Sequence, residues 1–158
     1  MTAQDERPAS VPWPPILYLG AVAAAFILHL FFPVGWLGSP AADILFAIGL
    51  LTIAGGLAMD VMAMRRLARE RTTIMPHKAS THLVTDGIYA VTRNPIYLGN
   101  TMLMIGLGLA AGMVWLLLLA PVAAFATQQM AILPEERHLA ARFGKRYRDY
   151  QKRVRRWI

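Results

Sequence analysis

Apolar residues run almost unbroken over residues 16–32, 41–64, 96–111 and 113–133. None of these runs alternates with a period of two, and none confines its apolar residues to one helical stripe. Each is therefore hydrophobic on all sides and of the length a helix needs to cross a bilayer, about 20 residues. The predicted fold class is all-α, a polytopic membrane protein with about four transmembrane helices in a single domain. Residues 1–15 form a polar, then proline-rich arm. Pro33 to Pro40 and Gly112 supply two uncharged turns, while Arg65, Arg66, Arg69 and Arg71 mark an abrupt end to the second helix. A polar loop fills residues 65–95. In the tail, residues 134–158, Leu139, Phe143, Tyr147, Tyr150 and Val154 recur every three or four positions among Arg and Lys. That spacing predicts a C-terminal amphipathic surface helix.

Composition agrees: the 158 residues are 56% hydrophobic and only 16% charged, where soluble domains carry about 25% charged residues. There is no Cys, which removes thiolate and zinc–thiolate chemistry, and none of the four His pairs with another at metal-ligand spacing. No metal is expected. The net charge of +7 is concentrated: of 16 Lys and Arg, six lie between Arg65 and Arg93, nine follow Pro134, and both uncharged turns have none. Basic residues are retained on the cytoplasmic side, so both termini are expected there, in a bacterial inner membrane. Topology and anionic lipid heads account for these cations, and no groove-reading motif accompanies them, so no nucleic-acid partner is expected. Asp5 and Glu6 beside Arg7 carry the wrong sign for a secretory leader.

Chemistry concentrates at two places. The stretch from Thr81 to Gly99 is dense in hydrogen-bonding residues and runs into the third helix. Asn94-Pro95 reads as its start, with Pro at the first helical position. That helix end suits an anionic ligand group; the plain alternative is an ordinary loop capping a membrane helix. Glu135-Glu136 follows Pro134 and reads either as first-turn acids complementing a helix dipole or as carboxylates for a ligand's ammonium or hydroxyls. Because the third and fourth helices form a hairpin, residues 93–99 and 134–136 return to the same membrane face, where a zwitterion could be held between them. Thr101 and Met104 continue the stripe of Tyr97 into the bilayer and are expected to line a path for a lipophilic acceptor, with Gly106, Gly108 and Gly112 either thinning the helix beyond or, as the plainer alternative, allowing close helix packing. Asp60 is expected to snorkel or to pair with Arg65 or Arg66, unless as an intramembrane acid it serves a site, and His82 to orient a ligand or remain a solvated loop residue.

Arg93-Asn-Pro-Ile-Tyr-Leu-Gly99, Glu135-Glu136 and Phe143-Gly-x-x-Tyr147-x-x-Tyr150-x-x-Arg153-Val154, in that order, resemble the isoprenylcysteine carboxyl methyltransferase and phospholipid methyltransferase group of integral membrane enzymes. The resemblance implies S-adenosylmethionine as cofactor, bound at the cytoplasmic face by Arg93, Asn94, Tyr97, Gly99, Glu135 and Glu136; His82 is a further cofactor-binding candidate from its place in the loop, outside the matched motifs. It implies methyl transfer to a lipophilic or amphipathic acceptor, such as an isoprenoid-thioether carboxylate or a phospholipid amine, with Glu135, Glu136 and Arg93 as catalytic residues. Asn94 stands where eukaryotic members have His, and Ala131 where they have Arg. The other readings are a membrane NADPH-dependent reductase of the sterol-reductase type and a small non-enzymatic transport or assembly subunit.

Overall fold

The computed structural model describes residues 13–69 and 83–158. Among them there is no strand; the elements are α1 (Trp13–Phe31), α2 (Ala41–Arg69), a 3-10 turn (Gly87–Ala90), α3 (Pro95–Ala111), α4 (Val114–Thr127), a π turn (Gln128–Ile132), α5 (Leu133–Phe143) and α6 (Lys145–Arg153). Three stretches, Pro14–Phe31, Ala41–Arg69 and Val114–Phe143, are long and apolar enough to cross a membrane, and α3 is a shorter apolar helix. Leu19, Leu30, Phe31 and Leu51 are each at least 70% exposed. Such side chains tolerate that position in hydrocarbon, not in water.

The helix ends differ from the hydrophobic runs in three places, each for a physical reason. α1 begins at Trp13, not Ile16, because Pro14 and Pro15 fall in its first turn, where a missing N–H is no loss. α2 continues past Met64 to Arg69. Arginine is a good helix former and favours the negative end of the dipole, so the arginines mark where apolarity stops rather than where the helix stops. The fourth span does not end at Leu133: α4, the π turn and α5 form a continuous helical stretch. Pro134 has no N–H to offer Met130, and the wider π turn just before it accommodates that lost bond. The tail is accordingly two helices, parted at Gly144, whose φ of 53° suits a residue without a Cβ.

α2 packs along α3, α3 along α4, and α1 along α4. The α2–α3 seam is made by glycines seven apart on both helices. A Cβ at Gly49 would lie 2.8 Å from the Gly106 carbonyl, and one at Gly56 2.9 Å from the Gly99 carbonyl. Helices in lipid gain nothing from hiding apolar surface, so close backbone approach of this kind drives their association. The expected thinning of α3 toward lipid is not found. Gly106 faces Ile53 and Gly49, Gly108 faces Leu117, and Gly112 lies under the Trp36 ring. Met104 is 2% exposed and packs with Tyr18, Ala25, Leu116 and Ala120 in the core between α1, α3 and α4.

The two uncharged turns meet at one end of the bundle, where Trp36 covers Gly112 and Trp115 Nε1 donates to the Phe32 carbonyl at 2.8 Å. The opposite end collects the loop before α3, α5 and α6. There the stripe of Leu139, Phe143, Tyr147, Tyr150 and Val154 recurs as its spacing predicts. Tyr147, Tyr150 and Val154 are buried with Leu83 packed against them, so the stripe covers this protein's own loop.

Candidate functional site

The loop entering α3 is fixed from both sides. Arg66, near the end of α2, donates Nε and Nη2 to the two oxygens of Asp86 at 2.8 and 2.7 Å. The Arg66 guanidinium holds the Asp86 carboxyl below its usual range. Arg66 thus pairs with Asp86, not with Asp60 as expected. Asp60 instead lies against Gly99, and its Oδ1 is buried with no partner among the described residues. On the other side, Tyr150 of α6 donates its hydroxyl to the Tyr89 carbonyl at 2.6 Å. Burial raises the Tyr89 and Tyr150 hydroxyls above their ordinary value and pushes Tyr147 up to about 12, with the charge on Glu136 adding to the effect at Tyr147. All three remain protonated donors near neutrality.

α3 starts where Asn94-Pro95 predicts, with Pro95 in the first turn. Asn94 makes no side-chain cap. Its amide nitrogen donates to the Arg156 carbonyl at 2.9 Å, so it holds the segment after α6. The same segment is tied twice more, by Arg93 N–H to the Arg155 carbonyl at 3.0 Å and by the Thr92 hydroxyl to the Arg156 carbonyl at 3.2 Å. Trp157 Nε1 donates to Gln128 Oε1 at 2.8 Å, anchoring it to the π turn.

The structure brings Arg93, Tyr97, Glu135 and Glu136 together and gives the two acids different states. Glu136, 8% exposed, is held by two arginines. Its Oε1 accepts from Arg156 Nε at 2.9 Å and lies 3.2 Å from Arg93 Nη2, and its Oε2 accepts from Arg156 Nη2 at 2.8 Å. Glu135 has no arginine among the described residues: Tyr97 donates its hydroxyl to Glu135 Oε2 at 3.3 Å. Arg93 uses one nitrogen on Glu136; the Tyr147 hydroxyl lies beside its guanidinium, and its Nε and Nη1 are buried with no well-aligned hydrogen bond among the described residues. A guanidinium with a free edge beside a carboxylate without a cation complements a zwitterion.

Gly99 has a packing role here. A Cβ at that position would collide with the Asp60 carboxylate and lie 3.0 Å from the Gly56 carbonyl. Thr101 donates to the Tyr97 carbonyl at 2.8 Å and lies 2.6 Å from the Tyr18 hydroxyl, joining α1 to the first turns of α3. His82 lies outside the described residues. No group of three or more metal-ligating side chains occurs among the described residues. Sequence reasoning missed Arg156, Thr92 and Gln128. Their roles depend on an extended segment, from Val154 onward, folding back across the loop, and only the doubled Arg155-Arg156 after the buried stripe hinted at it.

A helical membrane bundle that gathers paired acids, an arginine and a proline-started helix at one end has recognisable relatives. The chain matches the phospholipid methyltransferase family over residues 44–146. It belongs to that family. It is also similar to the nickel-cobalt-cadmium resistance protein NccN of Alcaligenes xylosoxydans xylosoxydans, at 34% identity over 77 residues, which are 49% of this chain and 36% of that protein. The matched stretch thus spans little more than a third of that relative. The family match reaches from α2 into the start of α6 and includes both Arg93 and the paired acids.

Proposed function

We propose that this protein is a membrane methyltransferase using S-adenosylmethionine at the charged end of the bundle, with an acceptor carried by the bilayer. The observation that carries the reading is the pairing of unlike partners among the described residues: Arg93 with two buried nitrogens that find no acceptor, and Glu135 with no cation. These residues fit the cofactor, whose amino-acid end is a carboxylate and an ammonium. Arg93 would hold the carboxylate, and Glu135 would take the ammonium or the ribose hydroxyls. Bound there, S-adenosylmethionine supplies an electrophilic methyl group on a sulfonium.

The chain's own contribution is placement and exclusion of water. Tyr97 orients Glu135 from the first turn of α3, and Glu136 is occupied by arginines, which leaves Glu135 as the carboxylate with accepting capacity. Holding two reactants in line is worth roughly 7–11 kcal/mol of barrier when the geometry is right. A site at the membrane edge, floored by packed helices, serves that purpose. Thr101 is proposed as the contact nearest the acceptor, with buried Met104 as the wall behind it. The end rich in Arg and Lys is taken as cytoplasmic.

Vesicles of known sidedness test reaction and orientation together. With methyl-labelled S-adenosylmethionine, which does not cross bilayers, inside-out vesicles holding the protein are expected to move label into the organic-extractable lipid fraction. Right-side-out vesicles are expected to stay at background. Label confined to the aqueous phase, or transfer only in right-side-out vesicles, would contradict the proposal.

A further inference from the structure

The arginine after α6 stands among charged groups that the preceding reading uses only in part. Arg93, Glu136 and Arg156 form a linear set with a net charge of +1, in which Arg156 takes both oxygens of the acid and Arg93 approaches only one. Arg156 Nε and Nη2 bond to Glu136 at 2.9 and 2.8 Å, closer than the 3.2 Å from Arg93 Nη2. The acid itself is 8% exposed, so its negative charge must be matched locally. The bond to Glu136 is the leading reason that the Arg156 guanidinium holds its proton above its ordinary range. Without Arg156, the nearest cation for both oxygens of Glu136 is Arg93, whose Nε and Nη1 have no well-aligned hydrogen bond among the described residues.

We propose that Arg156 is a positioning residue for the anion end of the pocket: by saturating Glu136 it keeps the second edge of the Arg93 guanidinium free for a ligand carboxylate. Its backbone carbonyl, accepting from Thr92 and Asn94, fixes the same segment over the loop. Side chain and main chain thus hold the same segment, the guanidinium on Glu136 of α5 and the carbonyl on the loop before α3. Arg156→Ala brings the set to zero net charge and lets Arg93 turn fully onto Glu136. Arg156→Lys keeps the charge. Arg156→Ala combined with Glu136→Gln restores +1 and frees Arg93 again.

This inference rests on the cofactor reading, and the experiment has one arm that does not. In the ligand-free protein, hydrogen exchange of the Arg93 amide, which bonds to the Arg155 carbonyl, reports the hold of the segment on the loop. Arg156→Ala is expected to speed that exchange at least about tenfold, because the side chain anchoring the segment is gone; an unchanged rate overturns the inference whatever the ligand. In the second arm, calorimetry with S-adenosylmethionine is expected to show affinity at least about tenfold weaker in Arg156→Ala, the scale of one charged hydrogen bond. Affinity is expected to be largely kept in Arg156→Lys and recovered in the double variant. Loss in all three variants, or in none, overturns the positioning role. A wild-type protein that binds no S-adenosylmethionine defeats the cofactor reading and with it this role, and is told apart by the first arm.

Discussion

Glu136→Ala is expected to lower the stability of the folded protein by about 3 kcal/mol, the lower end of what removing one partner of a buried ion pair costs. The change leaves two arginines facing each other across an apolar gap. Arg93 has a side chain only 10% exposed and can lean little on water, while Arg156 at 31% can partly relax. That asymmetry is why the lower end applies. Glu136→Gln keeps an acceptor for Arg156 and is expected to cost less. Denaturant titration in detergent, followed by tryptophan fluorescence, reads the difference; a loss below about 1 kcal/mol for the Ala variant would show the pair to be solvent-screened, as surface pairs are.

Gly99→Val is the other large effect. Inserting volume into a packed core typically costs 1–3 kcal/mol, and the upper end, about 3 kcal/mol, is expected here. The new Cβ would meet the Asp60 carboxylate and a backbone carbonyl, and a backbone cannot rotate aside. Separation of α2 from α3 would also displace the first turn of α3, and with it Tyr97 and its bond to Glu135. Gly20→Ala supplies the comparison, since a Cβ there meets nothing within 4 Å; in mid-helix it is expected to stabilise by about 0.5–1 kcal/mol. Equal behaviour of the two variants in thermal unfolding would mean that the α2–α3 seam is looser than described.

The spans and their charge asymmetry were legible because both depend on local composition. The hydrocarbon demands long apolar runs, and Pro95 and the uncharged turns punctuate them. Helix ends were less legible, since Arg65 to Arg69 end the apolar run without ending the helix. Co-location of Arg93 with Glu135 and Glu136 followed from the hairpin of α3 and α4, a purely topological step. The differing states of the two acids did not follow, because they depend on Arg156, which is 20 residues from Glu136 in sequence. The glycines were legible as packing residues in general, but not which helix each would meet. Gly56 and Gly99 meet at one crossing, whereas Gly108 and Gly112 face Leu117 and Trp36. The buried face of α6 was read from its period, yet a period cannot say whether lipid or the protein's own loop covers it.

The central claim is that Arg93 and Glu135 hold the two charged ends of S-adenosylmethionine. Calorimetry on detergent-purified protein, titrated in parallel with S-adenosylmethionine and NADPH, tests it most directly. The account predicts saturable binding of S-adenosylmethionine and none of NADPH. It also predicts that Glu135→Gln, which still folds, weakens that binding by about 1.5–3 kcal/mol, the worth of a hydrogen bond to a charged group. Binding of NADPH in place of S-adenosylmethionine, or affinity for S-adenosylmethionine unchanged in Glu135→Gln, would contradict it.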